Sequence, residues 1–271
     1  MRLRISPIRI SMYAFLSFMA FISIFPFYWM LVSSTNSTTE INKGKLTFGD
    51  QLISNFIKLN EHGDLLLVFW NTGKIAITTA VLTLIICSMA GYGFEVYRNK
   101  SREKAYSLLL GTMMIPFAAL MIPLFTMMAK LNMLDTHLAV ILPGLGAVFI
   151  VFYFRQCTKA FPKELIDAAR VDGVKDWKIF FYIYMPVMKN TYAAAFIIVF
   201  MNSWNNFLWP LLVLQSPDKT VINLFLSSLG SAYFPDFGVI MLGTLIATIP
   251  TLLVFFFMQK QFVAGMTGSV K

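Results

Sequence analysis

Charge is the scarcest property of this chain. Only 13% of its 271 residues are Asp, Glu, Lys or Arg, about half the share of an ordinary soluble domain, which is too little to cover a water-exposed surface. Cysteine is nearly absent: Cys87 and Cys157 form no CxxC pair and have no histidine at ligand spacing, which excludes a disulfide framework and a zinc site. The two histidines, His62 and His137, fall in connecting segments and suit solvated or capping roles. A phosphate-cradling GxxxxGKS/T loop is missing, since Gly44-Lys45 lacks both the earlier glycine and the following hydroxyl. Neither GxSxG nor HExxH occurs, so no enzyme is indicated and the chain has no ATPase site of its own. Carboxylates are absent from the long apolar runs, where a proton-coupled carrier would need one on its pathway. Basic stripes interleaved with stacking aromatics are also missing, which argues against nucleic acid as a partner.

What the chain does have is apolar length. Hydrophobic residues make up 58% of the sequence and the mean hydropathy is +0.70, which places it among membrane proteins. Six windows could each cross a hydrocarbon core, which needs roughly 20 helical residues: 11–33, 71–94, 106–129, 138–158, 187–214 and 238–259. The expectation is an all-α, polytopic membrane protein with six transmembrane helices in a single domain, 1–271, without internal repeats. The first window follows three arginines and runs on to Val32 without a small-residue cleavage site, so it reads as an uncleaved span. Segment 33–70 is polar and should carry a short surface helix. With the N-terminus inside, 16 of the 22 basic residues fall on the inner side; basic loops stay cytoplasmic, so both termini are expected there. The net charge of +9 then serves topology and contact with anionic membrane lipid.

Between the fourth and fifth windows lies a polar island at 162–186, PKELIDAARVDGVKDWKIFFYIYMP. Pro162 suits a first helical turn, and Gly173 permits a sharp change of direction. Leu165, Ala168, Ala169 and Asp172 recur at i, i+3, i+4 and i+7, giving a face small enough to lie close to another protein.

Those residues also carry a family likeness. Asp167-Ala168-Ala169, then Gly173, then Ile183-x-Met185-Pro186 keep the spacing of the Glu-Ala-Ala (EAA) loop of permease subunits of ABC importers, with Asp for Glu and Met for Leu. AGYGF at 90–94, IPLF at 122–125, WNNFLWPLLVL at 204–214 and QKQFVAGMTGSVK at 259–271 are similar to maltose-type carbohydrate importer permeases. The resemblance implies that the loop at 160–186 is a cytoplasmic coupling helix gripped by an ATPase. In it Asp167, or Glu164 one turn earlier, would pair with a basic residue of that partner, and Ala168, Ala169 and Gly173 would allow close approach beside Asp172 and Pro186. It further implies a tail at 259–271, with Gln261, Gly265 and Gly268, docking between ATPase subunits. The partners implied are a second permease, two ATP-binding-cassette ATPase subunits that hold ATP and Mg, and an extracytoplasmic solute-binding protein, in a bacterial or archaeal cytoplasmic membrane. No cofactor is expected on this chain.

In the fifth window Asn202, Asn205, Asn206 and Trp209 also recur at i, i+3, i+4 and i+7. Such a stripe could line a path for a hydroxyl-rich solute, or could serve as hydrogen-bonding glue between helices. Lys74 is the one charge placed inside a window; it could snorkel to head groups or meet an anionic solute. The reading is a permease subunit for a carbohydrate, in particular a neutral oligosaccharide, moved by alternating access. An anionic sugar or sugar phosphate carried by the same machinery, a non-ATP carrier and a membrane scaffold are the alternatives.

Overall fold

The protein is described by a computed structural model covering residues 7–231 and 233–266. Among these residues all regular structure is helical. Three helices are long and apolar enough to cross a bilayer alone: α1 (Pro7–Ser33), α4 (Leu65–Val96) and α15 (Phe237–Met266). Three bent pairs complete the count of six.

The first pair is α5 (Lys100–Gly111), a 3-10 turn, and α6 (Phe117–Lys130), bent by 101°. Its break falls at Pro116: the ring forces Ile115 out of the helical region, to φ −82 and ψ 115. In the second pair, α7 (His137–Ile141) and α8 (Val148–Thr158) meet at 42° around Pro143. Carbonyls freed by that break cannot stay bare in hydrocarbon. The Thr83 hydroxyl donates to Gly144 at 3.4 Å, and the Cys87 thiol to Leu145 at 3.4 Å and Ala147 at 3.6 Å, all from α4. The third pair joins the segment 176–187, made of α10 (Asp176–Ile179), a π-helical turn at 180–184 and α11 (Met185–Val187), to α12 (Lys189–Trp204) at 82°. The expected window 187–214 therefore ends early, and a separate helix, α13 (Leu208–Val213), follows the break.

Chain contacts define two compact units. One comprises residues up to 65 with 225–249, the other 66–224 with 250 onward. In the first unit, the end of α1 and the short helices α2 (Thr38–Asn42) and α3 (Leu52–Glu61) form a polar knot. The Asn36 amide donates to the carbonyls of Val32 and Thr47, and the Asn55 amide to those of Ser34 and Asn36. Gly238 must be glycine here, because a Cβ would stand 2.5 Å from the Asn36 carbonyl oxygen. Asp236 ties the start of α15 to the knot through Lys58 at 2.8 Å and Thr38 at 3.0 Å. Ser37 and Glu40 close a capping box on α2. Lys45 first, then Ser37, stabilise the charged carboxylate and hold Glu40 down to about 2.

In the second unit α4 packs against α8 without side chains intervening at Gly91. An added Cβ there would meet the Arg155 backbone nitrogen and Phe154 Cβ at 2.8 Å. Two apolar clusters flank this contact, one around Trp209 and the other around Tyr184. The helix α14 (Ile222–Gly230) follows the extended loop after α13, with Thr72 of α4 accepting the Ile222 N–H at 2.8 Å. Most of α1 is solvent-open and apolar, a composition suited to lipid or to a second membrane subunit.

Candidate functional site

The polar island folds as α9 (Lys163–Val171), one residue after Pro162, and stops where the sequence suggested. Gly173 sits in the left-handed region at φ +73; its N–H reaches the Arg170 carbonyl at 3.0 Å and the Val174 N–H reaches Ala169 at 2.9 Å, a Schellman ending. Ile166 and Ala169 turn inward onto Phe161, Phe180, Tyr184 and Met188. This corrects the expected outer face. Ala169 is only 6% exposed, because burying the larger Ile166 side chain sets the helix rotation, and Ala169 shares its side at i+3. Glu164, Leu165, Asp167, Ala168, Asp172 and Gly173 do face outward, beside Val171, which is 88% exposed. Neither Glu164 nor Asp167 has an ion pair among the described residues. Pro186 is exposed, next to the 82° bend into α12.

α9 does not sit on its support by apolar packing alone. Arg170 pairs with Asp176 at 3.2 Å across the Gly173 turn, and its guanidinium lies 5.3 Å from the ring centre of Tyr97 at the end of α4. Beneath, the Tyr184 hydroxyl meets Thr158 of α8 at 2.6 Å. One turn from Thr158, Arg155 is 4% exposed and is held by Glu95 at 3.3 Å, by Glu103, and by the Tyr106 ring at 3.9 Å. The sequence reading missed this cluster. It named Lys74 as the one charge inside a window, yet Arg155 lies within 138–158 and Lys189 within 187–214, and α4 runs past 94 to include Glu95. The available signal was a lone arginine in an apolar run, which demands a buried acid nearby.

A cavity of about 300 Å³ opens between α4, α6, the α7–α8 break and α12. Thr79, Asn202, Ser203, Asn206, Phe117 and Trp209 are among its walls, and no charged side chain among the described residues lines it. Asn202, Asn206 and Trp209 thus come together, but not as a helical stripe: α12 ends at Trp204, and Phe207 leaves helical geometry at φ −122. Asn205 is drawn off, donating to the Met201 carbonyl at 2.9 Å. Trp209 is 1% exposed, its indole N–H donated to Ala139 at 2.8 Å. Lys74 is exposed on α4 and lies outside the cavity lining.

Elsewhere in this unit, Asp135 clamps two loops. Its carboxylate accepts from Lys219 at 2.8 Å, from the Ser216 hydroxyl, and from the backbone N–H groups of Gln215 at 2.9 Å and Ser216 at 3.0 Å. Lys219, then Ser216 and the amides, hold its carboxyl far below the usual range. A lowered folded-state pKa gives stability that is complete above the ordinary carboxylate pKa and is lost as pH falls through and below it. Asp135→Asn tolerates the same left-handed backbone, φ +56, so it isolates the charge. The variant should melt a few degrees below wild type at neutral pH, with the gap closing below about pH 4; a gap constant with pH would show that the charge is not what holds the loops.

At the far end, α15 continues through Met266 rather than ending near 259, since Gln259, Lys260 and Gln261 are good helix formers. Gln261 is exposed, Gly265 falls within the helix and Gly268 lies outside the described residues.

Comparison with known proteins gives a consistent picture. The family model of the binding-protein-dependent transport system inner membrane component matches residues 84–268. The lactose transport system permease protein LacG of Rhizobium radiobacter is 59% identical, over 96% of this chain and 95% of the relative. The arabinooligosaccharides transport system permease protein AraQ of Halalkalibacterium halodurans is 40% identical over 94% of each. An sn-glycerol-3-phosphate transport system permease protein, UgpE of Brucella abortus, is 29% identical over 91% and 92%. A solved bacterial ABC transporter involved in the import of the acidic polysaccharide alginate shares the fold, with a TM-score of 0.80 at 22% identity over 93% of this chain and 95% of that one.

Proposed function

Because the chain belongs to the family of binding-protein-dependent transport system inner membrane components, we propose that it carries a neutral disaccharide or short oligosaccharide of the lactose kind. The family is the permease component of ABC importers, has no ATPase site of its own, and works with an ATPase and a solute-binding protein in the membrane. That premise removes the carrier and scaffold alternatives.

The substrate reading rests on the 59% identity, nearly end to end, to a lactose permease. The cavity supports it, since a phosphate or carboxylate would be costly to desolvate against a lining without a cation. Relatives named for glycerol phosphate stand much farther off, at 29%. In the complex, α9 is the element an ATPase grips, with Asp167 or Glu164 pairing to a basic residue there, and Ala168, Asp172 and Gly173 presenting a low surface. Two ATPase copies with ATP and Mg, a second permease and an extracytoplasmic binding protein complete the machine. Both termini and α9 face the cytoplasm, in line with the distribution of basic residues, and Gln261 with the tail after it docks between the ATPase subunits. Closure of the ATPase pair moves α9, and the Arg170, Tyr97 and Tyr184 contacts pass that movement to α4, α8 and α12.

The test is uptake by the complex reconstituted in vesicles with radiolabelled lactose. ATP-dependent accumulation, blocked by excess unlabelled neutral disaccharide and not by glycerol phosphate or galacturonate, is expected. Competition by the anionic compounds alone would overturn the substrate class.

A further inference from the structure

Polar side chains in a hydrocarbon-spanning segment find partners, within the chain or outside it. Around the cavity described above, four of them find none among the described residues. Thr79 is 7% exposed, and its hydroxyl has no hydrogen-bond partner among the described residues. By contrast, Thr72, Thr126, Thr158, Thr244 and Thr248 each bond the carbonyl four residues back in the helix. Thr79 gives up that bond while lining the cavity. Across from it, the side chains of Asn202, Ser203 and Asn206 also make no hydrogen bond among the described residues. α12 ends at Trp204, so Asn202 and Ser203 line the cavity from the helix, whereas Asn206 and Trp209 line it from the segment after the break.

We propose that this cavity is a sugar subsite belonging to this subunit itself, holding one pyranose ring through Thr79, Asn202, Ser203 and Asn206 against the apolar wall of Phe117 and Trp209. The inference rests on the neutral-sugar reading and adds where, on this chain, the sugar is recognised. A pyranose presents hydroxyls that both donate and accept, together with an apolar C–H face. Two carboxamides and two hydroxyls supply both donor and acceptor capacity, while the aromatic wall meets the C–H face. The volume, about 300 Å³, lies at the lower end for small-ligand pockets, which suits one ring of a disaccharide.

The experiment uses the complete importer in vesicles, with lactose and a set of its monodeoxy analogues as probes. A site built to bond a hydroxyl discriminates against the analogue lacking it. Because the binding protein is unchanged, its own preferences cancel when variant and wild type are compared. Asn206→Leu and Thr79→Val are each expected to slow lactose uptake about tenfold, the worth of roughly one hydrogen bond. Each should also close the gap between lactose and one particular deoxy analogue. Thr79→Ser, which keeps the hydroxyl, should stay near wild type. Variants that assemble with their partners and keep the wild-type discrimination pattern would overturn the subsite; where Asn206→Leu fails to assemble, Asn206→Ser gives the same reading. A wild-type complex that imports no neutral sugar sinks the substrate reading, whereas normal lactose uptake by every variant sinks only the subsite.

Discussion

Gly173→Asp is expected to abolish substrate-stimulated ATP hydrolysis and uptake, by a hundredfold or more, while the complex still assembles. The reasoning separates two effects. In the left-handed conformation at φ +73 a side chain costs about 1–2 kcal/mol, less for Asp, which tolerates that region. Within the chain, an added Cβ at Gly173 would meet nothing inside 4 Å. The fold therefore leaves room, and what the substitution disturbs lies beyond the chain: a carboxylate planted where α9 would be gripped. Gly173→Ala carries more backbone strain than Asp and less bulk and charge. If strain were the cause, Ala would be at least as harmful. If contact with the ATPase is the cause, Ala should retain a substantial part of the activity and Asp should lose it. Uptake and ATPase assays on both variants, alongside co-purification of the ATPase, decide; full coupling in Gly173→Asp would remove α9 from the mechanism.

Arg155→Met should produce the largest loss of stability from any single substitution outside the glycine contacts. Arg155 is 4% exposed and its partner Glu95 6%, so the change leaves a carboxylate buried with no cation, at a cost of about 3–5 kcal/mol. For a chain of this size that corresponds to a fall in melting temperature on the order of 10 °C. The stacking on Tyr106 and the second bond to Glu103 go with it. Adding Glu95→Gln removes the orphaned charge and should restore part of the loss, because an apolar or neutral replacement of a whole buried pair is tolerated far better than half of it. Fluorescence-detected melting of the detergent-solubilised protein distinguishes the cases. A double variant no more stable than Arg155→Met would mean that Glu95 is satisfied by something other than Arg155.

Much of the fold was legible before any coordinates. Six apolar windows gave the six crossings, and the island at 162–186 gave α9, its glycine ending and its outward acids. Ala169 was read on the wrong face, since an alanine fits either side of a helix and only the competing bulk of Ile166 decides. Asn202, Asn205, Asn206 and Trp209 matched a helical period, yet the period continued past a break that nothing local marks except Pro210 four residues on. Arg155 was passed over because its acids, Glu95 and Glu103, are 60 and 52 residues away along the chain.

By composition and local pattern, then, the sequence alone determined that this is a six-crossing helical membrane protein with a polar helix between its fourth and fifth apolar windows, because hydrophobic length, charge bias and turn residues act over a few residues at a time. Tertiary structure alone decided which face of α9 is free, that Arg155 is neutralised, and that Thr79 meets Asn202 and Asn206 across a cavity. Each of these depends on which distant groups share a small volume, and no periodicity along the chain encodes that.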